Sequence, residues 1–159
     1  MKVGHDFTGV TTPFYCTDGK GNFLLHRRSK NCRDEQGHWD PGSGRLGFGQ
    51  DLEESVLREV REEYGCEGKI LESLPAHSIH REHDGQKTHW VAIPFVIQVD
   101  SSKARNNEPE KIDKIGWFKL DHLPQPLHTG FQQTLNKYGH YLDKYRRWGL
   151  NPSGKVSPR

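Results

Sequence analysis

Four glycines, at positions 42, 44, 47 and 49, fall within eight residues, and Asp51-Leu52-Glu53-Glu54 follows almost at once. A run of that density either turns sharply or lets main chain approach another group closely, because a residue without Cβ meets little steric resistance. Apolar side chains then recur at helical spacing, Leu52, Val56, Leu57, Val60 and Tyr64, between a capping box formed by Asp51 and Glu54 and a stop at Gly65. Any fold for this chain must therefore hold a helix over 52–64 directly behind a glycine-rich loop, with one face of that helix against a core.

The rest of the sequence supplies mainly strands. Residues 7–17 are β-branched and aromatic, Asp18-Gly19-Lys20-Gly21 suits a tight turn, and Phe23–Arg28 reads as the returning strand. Residues 29–38 are polar and aperiodic, a loop. Two β-rich runs, 68–82 and 87–99, are joined by His83-Asp84-Gly85-Gln86; the second is the more apolar, although Pro94 is out of place in a central strand. A charged loop over 100–114, a short strand at 115–118 and a helix over 129–145 complete the order β-β-α-β-β-β-α. This order implies an α/β protein with a mixed sheet covered by helices.

With 159 residues the chain makes one domain, expected over 1–145. Its mean hydropathy is −0.92, no apolar run is long enough to cross a bilayer, and the opening Met-Lys-Val-Gly-His-Asp lacks a signal-peptide core. Cys16, Cys32 and Cys66 are odd in number and form no CxxC, which favours a reducing, cytoplasmic setting over a disulfide framework. Lys and Arg number 23 against 21 Asp and Glu, a balance that argues against a dedicated nucleic-acid binder, and without a long apolar run no membrane partner is expected. No acid follows Asp143, so 146–159 reads as a basic, flexible tail.

Glu59, Glu62 and Glu63 are related by i, i+3 and i+4, so their side chains share one arc of the predicted helix. Three like charges there repel, and an all-oxygen cluster of carboxylates suits Mg²⁺ or Mn²⁺ better than Zn²⁺. A solvated, Glu-rich helix face is the other reading of the spacing.

From Gly44 the sequence runs through five residues to Gln50, then seven more to Arg58-Glu59-Val60-Arg61-Glu62-Glu63-Tyr64-Gly65-Cys66. This resembles the Nudix box, G-x5-E-x7-R-E-U-x-E-E-x-G-U. Gly44, Arg58, Glu59, Val60, Glu62, Glu63 and Gly65 match, Cys66 stands in for the last aliphatic residue, and Gln50 replaces the first glutamate. A Leu-Leu-x-x-Arg strand before the box, Trp39 leading into the glycines, and Trp117-Phe118 with Leu120-Asp121-His122-Leu123-Pro124 after it extend the resemblance over about 5–145.

The resemblance implies the Nudix fold, an α/β/α sandwich with a mixed sheet, and Mg²⁺-dependent hydrolysis of a nucleoside diphosphate linked to another group, with Mn²⁺ as a substitute. It implies Glu59, Glu62 and Glu63 as metal ligands, a carbonyl near Ser43 or Gly44 completing the shell, and Arg58 bracing the carboxylates. One of the glutamates, Glu108 or Glu110 would be the general base. A nucleoside triphosphate cut to monophosphate and pyrophosphate is the leading expectation. Nucleotide-sugar or ADP-ribose hydrolysis is the alternative within the enzyme class. Because an amide at Gln50 lacks the charge that pairs with the motif arginine, a catalytically impaired Nudix-fold nucleotide-binding module is the alternative outside it.

Further candidates are weaker in signal. Arg27 and Arg28 alternate in direction along their strand, so one of them, Arg28 by preference, can reach phosphate. Trp39 and Trp90 could stack a base, though core packing is the commoner use. Asn107-Glu108-Pro109-Glu110-Lys111, ahead of Trp117-Phe118, resembles a segment bordering the base pocket in the triphosphate branch of the family. His77, His80 and His83 alternate faces and read as surface histidines. The partner is expected to be a nucleotide or nucleoside-diphosphate-linked small molecule, with the charge balance arguing against nucleic acid and a homodimer left open.

Overall fold

The computed structural model describes residues 1–147. Nine strands precede the closing helices: β1 (Gly9–Thr17), β2 (Asn22–Arg28), β3 (Trp39–Asp40), β4 (Ser43–Arg45), then after helix α1 (Leu52–Tyr64) β5 (Gly68–Ser73), β6 (His77–His83), β7 (Gln86–Ala92), β8 (Phe95–Val99) and β9 (Ile112–Lys119). Helix α2 (Thr129–Tyr138) runs into a 3₁₀ helix over Gly139–Arg147. The single helix expected over 129–145 thus tightens after Gly139. Most of the basic tail expected over 146–159 lies outside the described residues, but Arg146 belongs to the 3₁₀ helix and pairs with Asp121 and, at 2.9 Å, with Asp143.

β1 organises the sheet. Gly9–Thr11 runs parallel to β7 and Phe14–Thr17 parallel to β8, while Thr11–Pro13 pairs antiparallel with β4 and Thr17 meets Phe23 of β2. Both β-rich runs foreseen in the sequence are interrupted, at 74–76 and at 93–94. Pro94 has no N–H to give to a ladder, so the chain leaves β7, crosses from one half of β1 to the other, and resumes as β8; the Pro94 carbonyl accepts the Leu74 N–H at 2.8 Å. β9 begins three residues earlier than the sequence implies. Its register against β2 shifts between Arg27, opposite Lys114, and Arg28, opposite Ile112, so a bulge takes up the charged Asp113 near the strand's start.

The period of two divides the core between the sheet's faces. Phe14 and Cys16 of β1, Leu24 of β2 and Phe95, Ile97 and Val99 of β8 pack with Val56, Val60 and Tyr64 of α1. The intervening residues Tyr15, Phe23, Leu25 and Val96 pack on the opposite face with Phe131 of α2 and with Leu142 and Tyr145. The result is the expected α/β sandwich on a mixed sheet. Cys16, Cys32 and Cys66 are all free, and no described helix is long and apolar enough to cross a membrane.

Candidate active site

Helix α1 is fixed at both ends and along one side. The Asp51 side chain accepts from the N–H groups of Glu53 and Glu54, and Gly65 closes the helix in the left-handed region at φ 64°. Buried Val56, Val60 and Tyr64 anchor it to the sheet. The Tyr64 hydroxyl donates to the Pro41 carbonyl at 2.7 Å and lies 2.7 Å from His26 Nδ1. With its one proton committed to Pro41, the hydroxyl must accept from His26, so Nδ1 carries a proton; burial lowers the His26 pKa, which favours the neutral form of the ring.

This anchoring presses the carboxylate-bearing side of α1 onto the glycine segment. A Cβ added at Gly44 would sit 2.4 Å from Glu59 Cγ, and one at Gly42 would sit 2.7 Å from Glu63 Oε2. Gly42 also takes φ 116°, which an L side chain resists. The glycines therefore form a cradle for two glutamates. Glu62 is more exposed and pairs with Arg58 at 3.8 Å, and Arg58 reaches Ser55 Oγ at 3.5 Å.

The electrostatics of the cluster call for a cation. Glu63 Oε2 is buried without any hydrogen-bond donor, and burial, with the charges of Asp40, Glu108 and Glu59, pushes its pKa well above the ordinary carboxylate range against the opposing charge of Lys111. Burial and Glu62 likewise raise Glu59. An orphaned carboxylate oxygen beside further carboxylates fits a hard divalent ion, which takes oxygen ligands. Of the two main-chain candidates, Ser43 and Gly44, the Gly44 carbonyl accepts the hydroxyls of Thr11 and Thr12 at 3.1 and 3.3 Å, and the neighbouring Gly42 carbonyl accepts Phe14 N–H. Both face β1, so strand alternation turns the Ser43 carbonyl the other way.

A cleft of about 300 Å³ opens beside Gly42 and Ser43. Arg28, Arg33, Arg45 and Arg81 line it together with Asp40 and an apolar wall of Ile79, Trp90 and Phe131. Arg28 is held by Asp34 at 2.9 Å and lies 3.7 Å from Asp40. Arg81 is held by Asp34 at 2.8 Å and by Glu35. Arg33 and Arg45 form no ion pair among the described residues. Asp34, Glu35 and His128 bring ligand atoms within 4.8 Å of one another, but this group is already neutralised: Glu35 also accepts from His128 at 3.0 Å and from the Thr129 N–H at 2.9 Å. Although burial opposes it, these partners hold the Glu35 carboxyl below the ordinary range.

Several sequence candidates fall elsewhere. Arg27 does not line the cleft; partly exposed, it pairs across the β2–β9 ladder with Asp113 at 3.5 Å. Trp39 is 8% exposed and packs edge-on against Phe118 within the second core cluster, so it stacks on no ligand. The 107–111 segment borders the last turn of α1 rather than the cleft, with Asn107 N–H bonded to the Glu63 carbonyl at 3.0 Å. There Glu108 acts electrostatically on Glu59 and Glu63. Glu110 is exposed and contributes its carbonyl to Ser29 and Asn31. His77 bonds Thr134, His80 stacks on His89, and His83 meets Asp84. Asp40, Arg45 and Arg81 went unnoticed in the sequence, although Arg45 adjoins Gly44 in the motif itself.

The NUDIX domain family matches residues 8–138. The chain belongs to the Nudix family. It is 30% identical over 135 residues to an RNA pyrophosphohydrolase of Gluconacetobacter diazotrophicus, covering 74% of this chain and 80% of the relative. Among solved structures, a MutT NUDIX hydrolase from Burkholderia pseudomallei superposes with TM-score 0.69 at 26% identity, over 84% of this chain and 99% of that one. An ADP-ribose pyrophosphatase from Streptococcus suis shares the fold, with TM-score 0.61 at 20% identity over 87% and 92%. Nudix hydrolases act on diphosphate bonds with divalent metals, and relatives of this chain differ in substrate.

Proposed function

We propose that this Nudix hydrolase cleaves the diphosphate linkage of a nucleotide in the presence of Mg²⁺ or Mn²⁺, with a nucleoside triphosphate converted to monophosphate and pyrophosphate as the favoured reaction. The observation that carries the reading is the buried, donorless Glu63 Oε2 in a glycine cradle at the edge of an arginine-lined cleft. Glu59, Glu62, Glu63 and the Ser43 carbonyl would hold the metal, which when bound screens phosphate charge and acidifies water. Arg45, beside the cradle and without a carboxylate partner, binds phosphate; Arg28 serves from its tether to Asp34. Glu108 is the acid placed to take a proton near Glu59 and Glu63. The apolar wall with Trp90 receives the base. Two arginines free of carboxylates suit the higher charge of a triphosphate rather than the diphosphate of a nucleotide sugar.

The test is a panel of nucleoside triphosphates, ADP-ribose and nucleotide sugars incubated with Mg²⁺, Mn²⁺ or EDTA, with products separated chromatographically. Metal-dependent release of pyrophosphate from a triphosphate, lost in Glu62→Gln and Glu63→Gln, is the expected result. Two phosphorylated monoesters from ADP-ribose as the fastest reaction would replace the triphosphate reading. Nucleotide binding without turnover would make the chain a binding module.

A further inference from the structure

Arg81 enters the cleft with two of its three nitrogens already committed. Nη2 donates to Asp34 at 2.8 Å and to Glu35, and Nε donates to Thr129 Oγ1 at 3.1 Å. Nη1 forms no hydrogen bond among the described residues. The charge is compensated as well, because two carboxylates, Asp34 and Glu35, answer the guanidinium groups of Arg28 and Arg81. A guanidinium matched in this way has little charge to offer a phosphate, but one fixed amino group remains for an uncharged acceptor. Its neighbours are apolar: Ile79 lies two residues away on the same face of β6 and pairs with Trp90 of β7, and all three line the cleft.

Glu35 does most to hold Arg81 in this state. It sits in the 29–38 loop at φ 49°, a left-handed conformation uncommon outside glycine. Such backbone persists where the surroundings over-determine it, and here they do. Glu35 Oε1 accepts the Thr129 N–H at 2.9 Å, and Oε2 accepts the Thr129 hydroxyl and His128 Nε2, each at 3.0 Å, as well as Arg81. His128 Nδ1 accepts the Gly130 N–H at 3.2 Å, so the proton it gives to Glu35 is the one on Nε2. Loop, β6 and the first turn of α2 thus meet on one carboxylate. None of its partners belongs to α1 or to the glycine cradle.

We propose that Glu35 is a positioning residue, which neutralises and orients Arg81 so that this arginine serves an uncharged acceptor of the nucleoside rather than a phosphate. The inference rests on the nucleotide reading of the cleft and deepens it. Arg45 and Arg28 keep the phosphates, while Arg81 fixes the nucleoside against the apolar wall. Glu35 touches no substrate and acts through Arg81.

Steady-state kinetics with ATP and GTP in Mg²⁺, on wild type, Glu35→Gln, Arg81→Met and the double variant, tests this. Glu35→Gln keeps the shape of the side chain and removes the charge. KM for the faster substrate should rise about tenfold, as loss of a charge-assisted hydrogen bond gives, with kcat within about twofold because the lost interaction is one of binding. In the Arg81→Met background the same substitution should move KM by less than about twofold, since the effect runs through that arginine. Inorganic pyrophosphate, which has no nucleoside, should inhibit wild type and Glu35→Gln with the same Ki. Arg81→Lys keeps a cation for both carboxylates but loses the fixed Nη1 donor, and should raise KM as Arg81→Met does; an unchanged KM there overturns the proposal. An equal KM rise on Glu35→Gln in both backgrounds also overturns it, leaving only a structural tie to α2, as does a pyrophosphate Ki that moves in parallel with KM. Absence of turnover by wild type counts against the hydrolase reading alone, and titration of AMP and GMP in EDTA then carries the same comparison of variants.

Discussion

Glu63→Gln should make the metal-free protein more stable and the metal-loaded protein less so. The Oε2 atom of Glu63 is buried without a donor, and the neighbouring charges of Asp40, Glu108 and Glu59 add repulsion. A buried group left unsatisfied costs about 1–3 kcal/mol, more when charged. An amide of the same shape removes the charge, so in EDTA at pH 8 the variant should gain about 1–3 kcal/mol, or about 2–12 °C in melting temperature for a domain of this size.

The sign with pH follows from linkage. An acid whose pKa rises on folding binds protons more tightly in the native state, so its contribution to stability falls as pH climbs above the ordinary value of 4.5 towards the raised native value. Wild type and variant should therefore converge as the buffer approaches that ordinary value and separate above it. Saturating Mg²⁺ reverses the order: wild type gains about 2.7 kcal/mol at one hundred times Kd, while the variant, lacking the carboxylate, gains much less. Differential scanning fluorimetry across pH, with EDTA or Mg²⁺, reads all of this. A variant destabilised in EDTA at pH 8, or one with an undiminished Mg²⁺ shift, would refute the reasoning.

Three further outcomes follow from the same geometry. Gly44→Ala places a Cβ 2.4 Å from Glu59 Cγ; metal-dependent kcat/KM should drop by about a hundredfold from the displaced ligand, with about 1–3 kcal/mol lost in urea denaturation. Gln50→Glu should change stability by less than about 0.5 kcal/mol and kcat/KM by less than about twofold, because the exposed Gln50 Oε1 accepts from the Gly47 N–H at 2.8 Å, a bond a carboxylate keeps; a large gain in steady-state activity would contradict this. Tyr64→Phe strips the Pro41 carbonyl and His26 of their shared partner and should cost about 1–3 kcal/mol, measured by urea denaturation, with a parallel loss of Mg²⁺ affinity.

The helix and its glycines were legible because their signals are local: a cap, a stop, an apolar period and residues without Cβ. The same locality put Glu59, Glu62 and Glu63 on one side of α1. The cleft was harder to foresee because its lining comes from segments far apart in the chain. Arg81 reaches it from β6 only because β7 lies against β1, and sequence spacing carries no trace of that pairing. Trp39 and Arg27 show the converse. Each is of a type that often binds ligands, yet one is taken into the core beside Phe118 and the other is held across the β2–β9 ladder by Asp113. The Pro94 break was visible as an anomaly, but its meaning required knowing that β1 has two parallel neighbours.

That break divides two duties between successive strands. β6 and β7 bring Ile79, Arg81 and Trp90 to the cleft, whereas β8 contributes Phe95, Ile97 and Val99 to the core beneath α1. The two duties meet at 93–94 and at 74–76, between the strands, where Leu74 N–H donates to the Pro94 carbonyl at 2.8 Å and Ile93 N–H to the Thr11 carbonyl at 2.9 Å. Substitutions within 77–92 should therefore reshape one wall of the cleft, while α1 keeps its own foundation in the core.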